Sequence, residues 1–171
     1  MIQDKLGIFN IDWYMCCVGK NNEPHFRNLV EQCAYNRIGE LGTYKGVSTA
    51  VLSEYADEVR TLDIMPDKDR QKIWDYLGIS NIKSYVIQTQ KERDEQLLDI
   101  AQWAELMFID GGHLANDILV DEQLTRECKY RIFDDASVGN SWKDVRNCLD
   151  NLPDEFEVTY LDRFALVTRV D

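Results

Sequence analysis

The 171-residue sequence holds only three prolines, Pro24, Pro66 and Pro153, and no Pro- or Ser-rich stretch, so nothing in it reads as a linker between domains. It also lacks any run approaching the roughly 18 apolar residues of a membrane span. The start, Met1-Ile2-Gln3-Asp4-Lys5, has neither the basic opening nor the apolar centre of a signal peptide, which predicts a cytoplasmic protein. The five cysteines (Cys16, Cys17, Cys33, Cys128, Cys148) are odd in number and include no Cys-x-x-Cys pair. Neither a disulfide framework nor a zinc site is indicated, and reduced, buried thiols are expected. Positive charge is scarce too: 19 Lys and Arg against 31 Asp and Glu give a net charge of −12, which repels a phosphate backbone. With no cluster of basic residues among aromatics to offset this, nucleic acid is not an expected partner. Neither is a membrane.

What is present is alternation. Strands are predicted at Arg37 to Leu41, Val59 to Ile64, Ile82 to Ile87, Leu106 to Ile109 and Tyr130 to Phe133. Between and after them, helices are predicted from Gly46 to about Tyr55, from Pro66 to Leu77, from Glu92 to Trp103, from Leu114 to Glu127 and from Ser141 to Leu152. The charge run of the Glu92 helix reads as a solvated face. Strands separated by helices of this length imply right-handed parallel βαβ units. The ending differs. Phe156 to Leu161 and Phe164 to Val170 are separated only by Asp162-Arg163, and two residues can join antiparallel strands but cannot make a parallel crossover. The expected fold is therefore a doubly wound, mostly parallel α/β sheet with a reversed C-terminal strand. The chain reads as one domain, with residues 1–34 an N-terminal helical extension or lid on a core of 35–171. In that extension, Trp13, Tyr14, Phe26 and Leu29 either cover a substrate mouth or pack as a helix against the sheet.

Two constellations carry chemistry. The first is Glu40-Leu41-Gly42-Thr43-Tyr44-Lys45-Gly46-Val47-Ser48, at a strand-to-helix turn. Glycines there permit a sharp turn and close approach of a ligand to the main chain. Asp63, at the end of the second strand, is placed to accept the ribose hydroxyls of a nucleoside; the blander alternative is a helix cap. The glycines at 39, 42 and 46 do not form Gly-x-Gly-x-x-Gly, which argues against NAD. The second constellation is Asp110, Asp134 and Asp135, at the carboxyl ends of two strands, where open α/β sheets bind ligands. Three carboxylates suit a hard divalent cation such as Mg2+, although each could equally cap a loop or helix.

The first of these motifs resembles motif I of class I S-adenosylmethionine (SAM)-dependent methyltransferases. The stretch from Arg37 to Val170 is similar to their seven-stranded Rossmann-like core, terminal reversed hairpin included. Phe108-Ile109-Asp110-Gly111-Gly112-His113, Ile132-Phe133-Asp134-Asp135 and the helix from Gly139 to Leu149 resemble small-molecule O-methyltransferases, particularly the metal-dependent sugar enzymes. The resemblance implies that Glu40 and the backbone of Gly42, Thr43, Tyr44, Gly46 and Ser48 hold the amino acid end of SAM. Asp63 would hold its ribose and Met65 would flank its adenine, with Gln88, Thr89 and Gln90 at the adenine edge. The family often has an acid where Gln90 sits. Asp110 would lie near the methyl group and, with Asp134 and Asp135, hold the metal.

One departure matters. The similar sugar enzymes carry Asp-Gly-Asp after the fourth strand, and the second Asp, the suspected base there, is Gly112 here. His113 is the neighbouring candidate for a general base near pH 7. The expectation is O-methylation of a small-molecule acceptor; the alternative is a silent SAM-binding module. Asp/Asn-Pro-Pro-aromatic and Pro-Cys motifs are absent, which sets aside methylation of base amino groups and of cytosine C5. So compact a core leaves few residues for substrate selection: the pocket is shallow, completed by a second subunit of a homo-oligomer, or built for something large.

Overall fold

The computed structural model describes residues 1–9, 11–13, 16–19, 21–33, 36–112, 114–137 and 143–170. Seven strands form one sheet: β1 (Arg37–Leu41), β2 (Glu58–Asp63), β3 (Ile82–Val86), β4 (Leu106–Ile109), β5 (Tyr130–Phe133), β6 (Phe156–Leu161) and β7 (Phe164–Arg169). Their order across the sheet is β3-β2-β1-β4-β5-β7-β6. The pairs from β3 to β5 are parallel, whereas β7 runs antiparallel to both β5 and β6. The reversed strand expected from the two-residue spacing is therefore present, with Asp162 in the turn at a φ of 57°.

Alternation along the strands gives the sheet two apolar faces. On one, Ile38, Val59, Phe108, Ile132 and Phe164 pack against α2 (Glu23–Glu31), α3 (Val47–Leu52) and α4 (Lys68–Leu77), with α1 (Ile2–Lys5) joining the same cluster. On the other, Leu41, Leu62, Met107, Ile109 and Phe133 meet α5 (Gln90–Trp103), α6 (Ala115–Thr125) and α7 (Lys143–Leu149). The N-terminal region contributes to the first face: Phe26 of α2 stands edge-on to Phe108, with ring centroids 4.8 Å apart, and also touches Phe164.

Three helices depart from the sequence reading. The one expected to reach Tyr55 ends at Leu52, with Ser53 closing it and turns carrying the chain to β2. Pro66 does not open α4; Asp67 caps it, its carboxylate accepting from the Asp69 N–H at 2.7 Å. The charge run of α5 is not wholly solvated, because Arg93 is buried and paired with Asp121 of α6.

Candidate functional site

The register aligns the carboxyl ends of the central strands. Leu41 pairs with Leu62 and with Ile109, and Ile109 pairs with Phe133. The next residues, Gly42, Asp63, Asp110 and Asp134, consequently emerge along one edge of the sheet. A cavity of about 340 Å3 opens there, lined by Gly42, Tyr44, Asp63, Met65, Arg93 and Asp110 among others. That volume lies within the ~300–1,000 Å3 of small-molecule sites.

The loop after β1 is held against this edge by close backbone contact. Gly42 has a φ of 94°, and a Cβ there would lie 1.9 Å from the Asp110 carbonyl oxygen. Only glycine meets both demands. Asp63 ties the loop from the other side: its Oδ2 accepts from the Tyr44 N–H at 2.7 Å and its Oδ1 from the Met65 N–H at 2.8 Å. Each carboxylate oxygen retains further acceptor capacity. Beside it, Ile64 and Met65 leave large apolar side chains 65% and 69% exposed next to the cavity. Lys45 bonds Asp67 at 2.6 Å near the rim.

Glu40 is placed differently from Asp63. Glu40 shares its side of β1 with Ile38 and is completely buried, accepting hydroxyl hydrogens from Ser48, Thr49 and Thr61 at 2.5–2.6 Å. Thr43 joins the group through a 2.6 Å contact with Thr61. Glu40 is thus a buried anchor beneath the loop and does not line the cavity. Burial raises its carboxyl to about 7 against the pull of the three hydroxyls, and Asp110 adds to the rise. Gln88, Thr89 and Gln90 also lie outside the cavity lining; all three are exposed, and Thr89 caps α5 by accepting from the Glu92 N–H. His113 lies outside the described residues, as do Tyr14 and Ser141.

Asp134 lies near Asp110 and shares Arg163 with Asp135, and these aspartates have partners the sequence did not reveal. Arg163 donates from Nε to Asp134 Oδ1 and from Nη2 to Asp134 Oδ2, both at 2.6 Å, and from Nη2 to Asp135 Oδ1 at 2.7 Å. Burial, then the Asp110 carboxylate, push Asp134 well above the usual carboxylate range, with Arg163 pulling the other way. Asp135 sits in left-handed backbone at a φ of 57°. From the N-terminal segment, buried Cys17 brings its Sγ within 4.8 Å of carboxylate oxygens of Asp110 and Asp134, and its thiol shares a hydrogen bond with Asp110. Burial, Asp110 and Asp134 all raise the Cys17 thiol, so it keeps its proton at neutral pH. Arg93 was missed because a charged residue in a helical charge run carries no signal of burial. Arg163 had a signal, since the predicted turn implied its position.

No protein-family model and no curated protein sequence matches the chain. Solved structures do. The O-methyltransferase from Bacillus cereus in complex with S-adenosylhomocysteine (SAH) superposes with a TM-score of 0.73 at 13% identity, covering 98% of this chain and 90% of that one. The O-methyltransferase from Streptomyces achromogenes involved in tomaymycin synthesis, in complex with SAM, gives 0.68 at 13% identity, with 99% and 88% covered. An rRNA methylase from Streptococcus thermophilus gives 0.64 at 12% identity, with 90% and 99% covered. The fold is that of the SAM-dependent methyltransferases. Identities this low establish the architecture and leave the chemistry to the site. Among the described residues, no helix is long and apolar enough to cross a membrane.

Proposed function

We propose that this chain is a SAM-dependent methyltransferase that O-methylates a small-molecule acceptor. The observation that carries the reading is the cavity at the carboxyl edge, where the Gly42 backbone and the Asp63 carboxylate meet an exposed apolar pair, Ile64 and Met65. Main chain for the amino acid end, an anionic acceptor for ribose hydroxyls and an apolar face for adenine are what SAM requires. Bound SAM supplies an electrophilic methyl group on its sulfonium sulfur.

The chain's own part is to orient the two reactants and take up a proton. Asp63, already held by two backbone N–H groups, needs no reorganisation to accept hydroxyls. Asp110 follows β4 at the inner wall of the cavity, and Arg93 lies on the same lining. His113, next in sequence to Gly112, is the proposed base for the acceptor hydroxyl. The net charge of −12 favours a small acceptor over a polyphosphate chain. The fold itself does not decide this, since it also serves an rRNA methylase.

One observation favours the alternative of a silent SAM-binding module. A Cβ at Gly112 would lie 2.5 Å from the Asp117 Cβ, so the second aspartate of the sugar enzymes has no room here. Calorimetry with SAH tests the shared premise, and methyl transfer to a panel of catechols and sugar diols separates the two readings. The expected SAH affinity is micromolar, and Asp63→Asn should weaken it about tenfold or more, because the ribose loses a charged acceptor and one of the two backbone N–H groups loses its partner. NADH binding as tight as SAH would overturn the assignment. Transfer to any acceptor would remove the silent module.

A further inference from the structure

The resemblance to metal-dependent sugar enzymes implies a divalent ion on Asp110, Asp134 and Asp135. A hard cation needs carboxylate oxygens turned towards it, with near-octahedral geometry for Mg2+. Here both oxygens of Asp134 and one of Asp135 are turned towards a guanidinium. The bidentate pairing with Asp134 is the fork geometry in which arginine binds carboxylates best. A divalent ion would have to displace Arg163 or sit against its positive charge.

Among the described residues, the grouping with metal-ligand spacing is Cys17 with Asp110 and Asp134, which shares two of those aspartates and leaves out Asp135. Asp134 enters that grouping with both of its oxygens already bonded to Arg163, which leaves neither turned wholly towards an ion between Cys17 and Asp110. The donor set therefore does not fit a resident divalent ion.

We infer that Arg163 takes the place of that ion: it is the fixed cation of the acceptor side, binding and orienting Asp134 and Asp135. On the methyltransferase reading above, catalysis then needs no metal, and Arg163 is a positioning residue that acts through the two aspartates. Chain topology supports the assignment. Phe133 pairs with Ala165 across antiparallel strands, so the residues that follow β5 meet the residues that precede β7. The Ala136 N–H donates to the Arg163 carbonyl at 2.7 Å, fixing the turn backbone beside the aspartates.

The test uses Mn2+ as a paramagnetic stand-in for Mg2+, with free ion counted by electron paramagnetic resonance and SAH calorimetry run on the same preparations. Wild-type protein should bind no Mn2+ up to about 1 mM. Arg163→Met should create a site at least tenfold tighter, and adding Asp134→Asn should abolish it. Arg163→Lys, which keeps a cation, should bind none. Micromolar Mn2+ binding by the wild type that Asp134→Asn removes would overturn the inference, and this comparison stands even if Arg163→Met fails to fold. A folded Arg163→Met variant that gains no site would also overturn it. Wild-type failure to bind SAH would sink the cofactor reading while leaving the Mn2+ measurements to judge Arg163.

Discussion

Glu40 offers a sharp test of how the loop after β1 is built. Its carboxyl is fully buried and receives hydrogen bonds from three hydroxyls, two opposed influences on its charge. Burial prevails and holds the group at about 7, against an ordinary 4.5. The native state thus keeps a proton that the unfolded chain releases near pH 4.5. Between these values the folded form binds more protons, so stability is highest below pH 4.5 and is lost as pH rises to about 7. The displacement corresponds to about 3 kcal/mol in all, most of which falls between pH 5 and 8. Glu40→Gln keeps an oxygen acceptor for the hydroxyls but cannot titrate. In urea unfolding at pH 5, 6, 7 and 8, the wild type should lose on the order of 2 kcal/mol relative to this variant. Other titrating groups, Asp134 included, are common to both proteins and cancel in the difference. Parallel curves would refute the argument. A wild type that gains stability with pH relative to the variant would mean that the hydroxyl cage outweighs burial and holds the carboxylate charged.

Two further substitutions probe the walls of the cavity. Gly42→Ala forces a methyl group onto the Asp110 carbonyl at positive φ and should cost more than about 2 kcal/mol in chemical unfolding; a loss under about 0.5 kcal/mol would disprove the close approach. Arg93→Met strands the buried Asp121, whose carboxyl burial already pushes up to about 6, and should destabilise by about 3 kcal/mol. Adding Asp121→Leu should restore at least half of that loss in a double-mutant cycle. No recovery would place the cost in packing of the arginine stem instead of charge pairing.

Much of the fold was legible because its signals are local. Short apolar runs such as Leu106–Ile109 between amphipathic segments gave the strands, and Asp162-Arg163 was too short to reverse the logic of an antiparallel join. That Asp63 and Gly42 line one cavity was legible because a glycine turn followed by an acid at the next strand end is one spatial feature. Glu40 shows the limit. Alternation puts it on the side of Ile38, opposite Leu41, but nothing in the sequence says that the cavity would be reached from Leu41 and Gly42 while Glu40 faced the hydroxyls of α3 and β2. Arg93 and Cys17 were illegible for a different reason. Their partners, Asp121 and Asp110, lie 28 and 93 residues away, and only the packed sheet brings them together.

The reversed strand does more than diagnose the fold. Since β7 opposes both neighbours, β6 runs with β5, and the β6–β7 turn lies at the same carboxyl edge as Asp110 and Asp134. A final parallel strand would need a crossover helix there, which would carry the chain away from the edge and back. A two-residue turn has no such freedom and delivers its own side chains to that edge. One of them, Asp162, points to solvent, and the other, Arg163, reaches back to the two aspartates that follow β5. The pairing of Asp134 and Asp135 at that edge is therefore set by the identity of a single turn residue. Replacing that residue removes the guanidinium that binds both Asp134 and Asp135, the change after which a divalent ion becomes the natural counter-charge.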